Sequence, residues 1–200
     1  MCTTCAGYHV RREKLNDREQ IRKSAISARD CLGGVQRQEL SAKISEHIAV
    51  SAEFQEAEII MLYKGVRGEV RLEKLEQIAE HAGKRIVYPL CTGPGEMIAL
   101  EPKKKEGAWE KGAYGIMEPV REHSIVVSPE DIDLVICPCT AFDEKGNRMG
   151  MGAGYYDRFL PQCVNAVVIA AAFEVQKVER LPVDEWDYPM ERVFTEERTY

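Results

Sequence analysis

The sequence predicts an α/β fold, with three layers and a mostly parallel sheet that has helices on both faces. Short apolar runs that fit buried strands alternate along the chain with amphipathic helical patterns. Two of these runs flank one such helix, as in a parallel strand pair joined by a crossover. Because 200 residues suit one domain with a sizeable core, we expect a single domain over 1–200, with 1–12 as a flexible amino-terminal extension.

The first helix is predicted from a capping signal and from periodicity. Asn16 followed by Glu19 resembles a capping box. Apolar residues then recur at helical spacing: Ile21, Ala25, Ala28 and Leu32. The pair Gly33-Gly34 is typical of a helix end. A second helix is predicted from about Arg37 to Glu53, with one apolar face: Leu40, Ile44, Ile48 and Ala52.

The strands are predicted from short apolar runs bounded by turn-forming residues. They cover residues 57–63, 85–90, 97–102, 133–139 and 166–173. A third helix between the first two strands has a regular apolar face and stops at Gly83: Leu72, Leu75, Ile78 and Ala79. A short helix is predicted over 155–163. The lysine- and glycine-rich segment 103–124 is predicted to be a mobile excursion carrying three notable side chains: Trp109, Tyr114 and Glu118.

Composition argues against several classes of function. A net charge of −6 with 30% charged residues is poor for a nucleic-acid binder. No apolar run has signal-peptide length at the amino terminus, and the longest run, 166–173, is too short to span a bilayer. We therefore expect a cytoplasmic monomer that binds small molecules and neither nucleic acid nor membrane.

The seven cysteines are expected to be reduced thiols. Cys2 and Cys5 have the spacing of metal ligands, but no second pair or histidine cluster completes a tetrahedral zinc site. Cys137 and Cys139 flank a proline at the end of an apolar run, where small buried residues are expected.

The segment RMGMGAGYYDRFL, residues 148–160, is the strongest candidate for a binding site. Glycines alternate at 150, 152 and 154 between a predicted strand and a predicted helix. Such a loop exposes amide groups and, with the helix N-terminus, can form an anion site that Arg148 completes. The alternative is a turn needed only for close packing of the strand and the helix.

Acidic residues near this loop are candidate metal ligands. Asp157 follows the glycines, where a carboxylate could hold Mg²⁺ together with nucleotide phosphates. Asp187 lies in a proline-bracketed loop, where Asp184 and Glu185 compete for the same role. Each could equally be an ordinary surface carboxylate.

Three arginines of the first helix form one stripe. At about 100° per residue, Arg18, Arg22 and Arg29 fall within about 40° of one another. Such a ridge can lean over a neighbouring pocket or can simply be a solvated helix face. Glu69 follows a buried strand, where α/β sheets bind ligands.

Together these segments resemble the 5-formyltetrahydrofolate cyclo-ligase family, also called methenyltetrahydrofolate synthetases. The resemblance runs nearly end to end. It rests on IRKSAISARDCL, YKGVRGEV, GIMEP, AFDEKGNRMGMGAGYYDRFL and AAFEVQKVERLPVDEWD, in this order. The implied fold is the three-layer α/β fold shared with phosphosugar isomerases and CoA-transferases.

The resemblance also implies a reaction, the closure of 5-formyltetrahydrofolate to 5,10-methenyltetrahydrofolate. ATP is the co-substrate, ADP and phosphate are released, and Mg²⁺ is required. The formyl oxygen is a poor leaving group, so it is first phosphorylated, and the second folate nitrogen then attacks the activated carbon. In such phosphoryl transfer, the protein mainly positions the reactants and stabilises the charge that develops on the phosphoryl group.

The site residues implied by the resemblance fall into four groups. Catalysis is assigned to Arg148 and Tyr155. ATP contacts are assigned to Arg18, Arg22, Arg148, Met149, Gly150, Met151, Gly152, Ala153, Gly154, Tyr155 and Tyr156. Folate contacts are assigned to Lys64, Glu69, Met151, Gly152, Ala153, Gly154 and Tyr155. The metal is assigned to Asp157 and Asp187.

The chain departs from the family pattern at a few positions. Arg18 replaces the usual lysine, which keeps the charge and changes its reach. Ala153 and the pair Cys139-Thr140 stand where glycine is more common, and Trp186 precedes Asp187 where histidine or asparagine is frequent. A divergent paralogue acting on another formylated molecule, and a non-catalytic folate- or phosphate-binding module, are the alternative hypotheses.

Overall fold

A computed structural model describes residues 3–103, 106–112 and 115–200, with only the backbone described for 3–16. Cys2, the side chain of Cys5 and Tyr114 lie outside the described residues. The helices are α1 (Thr3–Asp30), α2 (Gly34–Ala49), α3 (Ala52–Glu56), α4 (Glu73–His81) and α5 (Tyr155–Phe159). The strands are β1 (Ile59–Met61), β2 (Arg85–Gly93), β3 (Glu96–Pro102), β4 (Trp109–Lys111), β5 (Met117–Pro119), β6 (Ser124–Val127), β7 (Leu134–Pro138), β8 (Ala141–Phe142), β9 (Arg148–Met149), β10 (Val167–Ala171) and β11 (Arg192–Phe194).

Seven strands form the central sheet, in the order β11-β10-β7-β1-β2-β3-β6. The five strands from β11 to β2 pair in parallel. At the other edge, β3 pairs antiparallel with β2, and β6 pairs antiparallel with β3. The predicted parallel pair is confirmed, because β1 runs beside β2 in register and α4 connects them.

The sheet separates two apolar cores, because successive side chains of a strand point to opposite faces. In β1, Ile60 belongs to one core, together with side chains of α2 and α4 such as Ile44 and Leu75. Ile59 and Met61 belong to the other core. There, Phe159 of α5 and its neighbours cover the sheet: Leu160, Cys163 and Tyr156. The predicted three layers, a mostly parallel sheet with helices on both faces, are confirmed.

Two predicted helix boundaries are wrong. Helix α1 begins at Thr3 and not at Asn16. The second helix ends at Ala49, and α3 begins at Ala52 instead of continuing it to Glu53. The break follows from Ser51, whose hydroxyl accepts a hydrogen bond from the amide of Phe54 and so caps a new helix.

The segment 103–124, predicted to be an excursion, contains ordered pairing. Trp109–Lys111 and Met117–Pro119 form an antiparallel pair. Other strands that were not predicted are the β8–β9 hairpin and the two edge strands of the central sheet, β6 and β11. No helix in the part of the chain that the structure describes combines the length and apolarity of a membrane span.

Candidate active site

A cavity of about 680 Å³ opens at the carboxyl ends of β1, β2 and β7. Tyr63 and Lys64 line it just beyond β1, Tyr88 lies in β2, and Pro138 and Thr140 lie at the end of β7. Parallel strands end at one edge of a sheet, so this is where α/β folds bind ligands. Glu69, which was singled out because it follows a buried strand, lies on the wall of this cavity.

All residues assigned to the site lie on the wall of this one cavity: Arg18, Arg22, Lys64, Glu69, Arg148, Met149, Gly150, Met151, Gly152, Ala153, Gly154, Tyr155, Tyr156, Asp157 and Asp187. The structure also separates the competing carboxylates of the carboxyl-terminal loop. Asp187 lines the cavity, whereas Asp184 and Glu185 do not. Asp187 is therefore the best-placed of the three for a metal in this cavity.

The glycine-rich loop spans residues 150–154, between β9 and α5. Gly152 and Gly154 have φ values of +99° and +67°, a conformation that favours glycine. Residues 150–154 all line the cavity, and their amides donate no hydrogen bond to any described residue. Because α5 has only five residues, the loop amides must supply the anion site that was predicted to include a helix terminus.

Two arginines of α1 hold the loops on either side of the cavity. Arg22 donates from Nε to the carbonyl oxygen of Gly150 at 3.1 Å. Arg18 donates to the carbonyl oxygen of Pro182 at 2.8 Å and forms an ion pair with Asp187. Burial first, and the neighbouring Arg18 charge second, lower the pKa of Arg22. An anion bound between these two guanidinium groups would relieve that repulsion.

Arg148 is buried behind the loop. Its Nη2 donates to Oδ1 of Asp157 at 3.1 Å, and its Nη1 donates to the carbonyl oxygen of Pro138. The guanidinium carbon lies 5.4 Å from the centre of the Tyr156 ring. The Nε atom of Arg148 has no hydrogen-bond partner within the described residues. The arrangement fixes Asp157 at the cavity wall and keeps one guanidinium donor unused.

The hydrogen bonds of Asp157 and Asp187 decide whether these carboxylates could also hold Mg²⁺. Oδ2 of Asp187 accepts from the amide of Asp184 at 2.8 Å and from Arg18. Each aspartate thus keeps one carboxylate oxygen without a partner in the described part of the chain. The described residues contain no group of three metal-ligating side chains. One or two carboxylates supplemented by phosphate oxygens and waters are the usual Mg²⁺ environment, so the donor set fits this ion.

Lys64 lines the cavity beside two aromatic side chains, Tyr88 and Trp109. Its Nζ lies 2.6 Å from Oε2 of Glu76, and it also lies 4.7 Å from the ring centre of Tyr88 and 4.9 Å from that of Trp109. The two rings meet edge to face at 4.8 Å. The ammonium group is therefore held in place by one carboxylate and two aromatic faces.

Glu69 is a buried carboxylate on the same side of the cavity, 9% exposed. Burial raises its pKa, while the hydrogen bond from the Val66 amide and the charges of Arg29 and Arg67 oppose that rise. Such a group can accept hydrogen bonds from a ligand's N–H groups in a site that excludes water.

Buried Tyr63 and partly buried Tyr156 lie near Glu69. The hydroxyl groups of Tyr63 and Tyr156 have no partner among the described residues. Burial raises the pKa of both phenols well above the usual value, so both stay neutral donors. Both residues also line the cavity, Tyr63 just beyond β1 and Tyr156 in α5.

Several residues of the site were missed by sequence reasoning. Arg158 lines the cavity and donates to the carbonyl oxygens of Gly95 and Ala153, which ties the β2–β3 turn to the glycine loop. Buried Asp143 accepts from the amides of Lys145, Asn147 and Leu181, and so fixes the β8–β9 turn. Glu118 also reaches the cavity. No periodicity identifies such residues, because part of their role depends on distant partners: Gly95 is 63 positions from Arg158, and Leu181 is 38 positions from Asp143.

Comparison with known proteins gives a consistent result. A family model described as the 5-formyltetrahydrofolate cyclo-ligase family matches residues 14–196. The 5-formyltetrahydrofolate cyclo-ligase of Haemophilus influenzae is 30% identical over 176 residues, 86% of this chain and 94% of the relative. The protein of the same name from Mus musculus is 27% identical over 178 residues, 83% of this chain and 87% of the relative.

Solved structures are similar to this chain over most of its length. The NMR structure of Aquifex aeolicus 5,10-methenyltetrahydrofolate synthetase has a TM-score of 0.79 and 33% identity, and the match covers 91% of each chain. A 5,10-methenyltetrahydrofolate synthetase from Mycoplasma pneumoniae has a TM-score of 0.73 at 23% identity, covering 90% of this chain and 99% of the other. The second match shows a shared fold.

Proposed function

The chain belongs to the 5-formyltetrahydrofolate cyclo-ligase family, and we propose that it closes 5-formyltetrahydrofolate to 5,10-methenyltetrahydrofolate with ATP and Mg²⁺. The family match spans residues 14–196 and therefore includes every residue of the candidate site. The family membership that the motifs indicated is thus confirmed. ATP, Mg²⁺ and the role of each residue are part of the proposal.

The phosphates of ATP are proposed to lie along the glycine loop. The unused amides of residues 150–154 are donors suited to phosphate oxygens. Arg22 holds the first carbonyl of the loop and keeps its terminal nitrogens near Gly152, where an added Cβ would lie 3.3 Å from Nη2. Arg18 supplies a second positive charge beside Asp187. The amides of the glycine loop and the two arginines of α1 therefore both favour an anionic ligand at this place.

Asp157 and Asp187 would hold Mg²⁺ against those phosphates. When bound, the ion would neutralise charge on the transferring phosphoryl group. Arg148 and Arg18 keep the two carboxylates oriented through their ion pairs. Water and phosphate oxygens would complete the coordination.

The folate is proposed to occupy the other side of the cavity. Buried Glu69 matches the adjacent N–H groups of a pterin ring, and Lys64 lies at the same end of β1. Tyr155 lies directly behind Gly154 and is proposed to pack on the folate. In this arrangement the formyl group points towards the glycine loop and the phosphates.

The reaction then proceeds in two steps. The formyl oxygen attacks the γ-phosphorus of ATP, the bond to the β-phosphate oxygen breaks, and ADP leaves. The second folate nitrogen attacks the activated carbon, loses its proton, and expels inorganic phosphate, which leaves the methenyl cation. Arg148 is proposed to stabilise charge on the phosphoryl group, and Tyr155 to orient the formyl group, so that positioning supplies much of the rate.

The single observation that carries this proposal is that the loop amides, two arginines and two aspartates share one cavity with Glu69 and Lys64. Purified protein should convert 5-formyltetrahydrofolate with Mg-ATP to a product with the near-ultraviolet absorbance of the methenyl compound. ADP should appear in equal amount and only when the folate is present. Folate-independent ADP release, or binding without product, would contradict the proposal.

The oligomeric state and the compartment are also proposals. We propose a cytoplasmic monomer, and the free state of the described cysteines is compatible with a reducing compartment: Cys31, Cys91, Cys137, Cys139 and Cys163. Size-exclusion chromatography with light scattering tests the monomer.

A further inference from the structure

Arg29 is the third arginine of the α1 stripe, and it does not line the cavity. Its side chain is 1% exposed, so the guanidinium group is removed from water almost completely. Nε and Nη1 of Arg29 have no hydrogen-bond partner within the described residues. A buried cation is costly unless the fold uses its charge or its donors.

Within the described residues, the guanidinium group of Arg29 has one hydrogen-bond partner, in the loop that follows β1. Its Nη2 donates to the carbonyl oxygen of Arg67 at 2.7 Å. Arg67 has a φ of +50°, a strained conformation for a residue with a side chain, and Gly68 follows with a φ of +83°. An added Cβ on Gly68 would lie 3.5 Å from Nε of Arg29. The guanidinium group therefore packs against the turn at 67–68 and holds it.

This turn leads directly to Glu69, the buried carboxylate of the cavity. Glu69 turns back to accept a hydrogen bond from the amide of Val66 at 3.1 Å, which closes the loop on itself. The charge of Arg29 favours the ionised form of Glu69 and opposes the effect of burial. Arg29 thus acts on both the backbone and the charge of the segment that bears Glu69.

We propose that Arg29 is a positioning residue for the folate half of the site, which holds the 66–69 turn and so places the carboxylate of Glu69 at the cavity wall. The proposal rests on the proposed function, because it takes Glu69 as a folate contact. It separates the arginines of α1 by role, with Arg18 and Arg22 acting on the nucleotide side. Arg29 acts through Glu69 and touches neither substrate.

The expected effect is on folate and not on ATP. In R29M, which keeps the length of the side chain and removes its charge, the KM for 5-formyltetrahydrofolate should rise about tenfold to a hundredfold. The KM for ATP should change little. The acid limb of kcat/KM for the folate should move to higher pH, since without the Arg29 cation the carboxylate of Glu69 takes up a proton more readily.

Other groups also face Glu69 and must be held constant. They are Arg67 on its own loop, Tyr63 after β1, Tyr156 in α5 and Cys139 after β7. R29K keeps the charge and loses the fork geometry, so its acid limb should stay near that of the wild type while its folate KM rises. In an E69Q background no carboxylate remains, and R29M should then shift no acid limb.

The matched control is R192M. Arg192 lies in β11, outside the cavity and away from the turn, and pairs with Glu53 at 2.6 Å. Thermal melts show which variants are folded, and R29K provides the test if R29M is not. Equal changes in both KM values, the same pH profile in R29M and wild type, or an R192M effect as large as that of R29M would each overturn the proposal.

The two proposals can fail separately. Wild-type protein that forms no methenyl product would overturn the proposed function. Calorimetric binding of 5-formyltetrahydrofolate at mildly acidic and neutral pH is then the readout for Arg29. Equal affinities of wild type and R29M at both pH values, or the absence of any folate binding by the wild type, would overturn the positioning role.

Discussion

Nε of Arg22 lies 3.1 Å from the carbonyl oxygen of Gly150, so a side chain of α1 fixes the first residue of the glycine loop. Two functional groups 128 positions apart in sequence are thereby held in one wall of the cavity. The terminal nitrogens of Arg22 stay available for a ligand, because the backbone contact uses only Nε.

R22A should weaken ATP binding by about tenfold to a hundredfold, the loss expected for a hydrogen bond to a charged group. Calorimetric dissociation constants for Mg-ATP measure the effect. K23A is the control, since Lys23 is exposed on the same helix and pairs with Glu19. Equal and small effects of the two substitutions would show that the arginine ridge is only a helix surface.

D157N should abolish turnover at ordinary Mg²⁺ concentration, because an amide oxygen binds a hard dication less well than a carboxylate does. Circular dichroism should show an intact fold, and the activity should be followed across a Mg²⁺ titration. D131N, at an exposed aspartate outside the cavity, should behave like the wild type. An unchanged Mg²⁺ dependence in D157N would remove Asp157 from the metal site.

D187N and D184N should differ, although both aspartates face Arg18. Only Asp187 lines the cavity, so D187N should raise the Mg²⁺ concentration needed for half-maximal activity, and D184N should not. The same activity assay over a Mg²⁺ series measures both. The opposite order would assign the metal to Asp184.

Y155A should weaken 5-formyltetrahydrofolate binding about tenfold, through lost aromatic packing, while Mg-ATP binding persists. Y155F should retain the affinity and lower kcat if the hydroxyl group orients the formyl group. Titration calorimetry with each ligand separates the two effects. Loss of ATP binding with intact folate binding would reverse the assignment of Tyr155.

G152A should impair both folding and nucleotide binding. Alanine at a φ of +99° is strained, with a cost of about 1 to 2 kcal/mol, and its Cβ would crowd Nη2 of Arg22 at 3.3 Å. Thermal melts and Mg-ATP titrations measure these effects. G33A is the control, because Gly33 has a φ of −62° and nothing within 4 Å of an added Cβ. A G152A protein with wild-type affinity would mean that the loop tolerates a side chain facing Arg22.

The sequence predicted the long apolar strands of the central sheet and missed the short ones. Buried parallel strands are near-continuous apolar runs, so β7 and β10 could be read directly from composition. The β8–β9 hairpin and β11 are only two and three residues long, too short for periodicity to show. The predicted start of α1 was wrong because Asn16 and Glu19 have the spacing of a capping box although both lie inside a longer helix.

Within the site, the glycine loop and its neighbours were found because glycine and charge at regular spacing are unusual. The local sequence did not choose between Asp187 and Asp184, which lie in the same proline-bracketed loop; the family resemblance favoured Asp187, and the structure places Asp187 but not Asp184 on the cavity wall. The proposed role of Arg29 could not be predicted, because it depends on a positive φ at Arg67. Arginine is not a residue type that indicates such a backbone conformation.

Helix α1 contacts the glycine loop through Arg22 and the turn at 67–68 through Arg29. If ATP bound at the glycine loop ordered α1 and thereby tightened folate binding by some factor, folate would have to tighten ATP binding by that same factor. The order in which the two substrates are added would then leave the affinity of the ternary complex unchanged. A variant of Arg22 would lower the affinity for folate only through this coupling, and only when ATP is present.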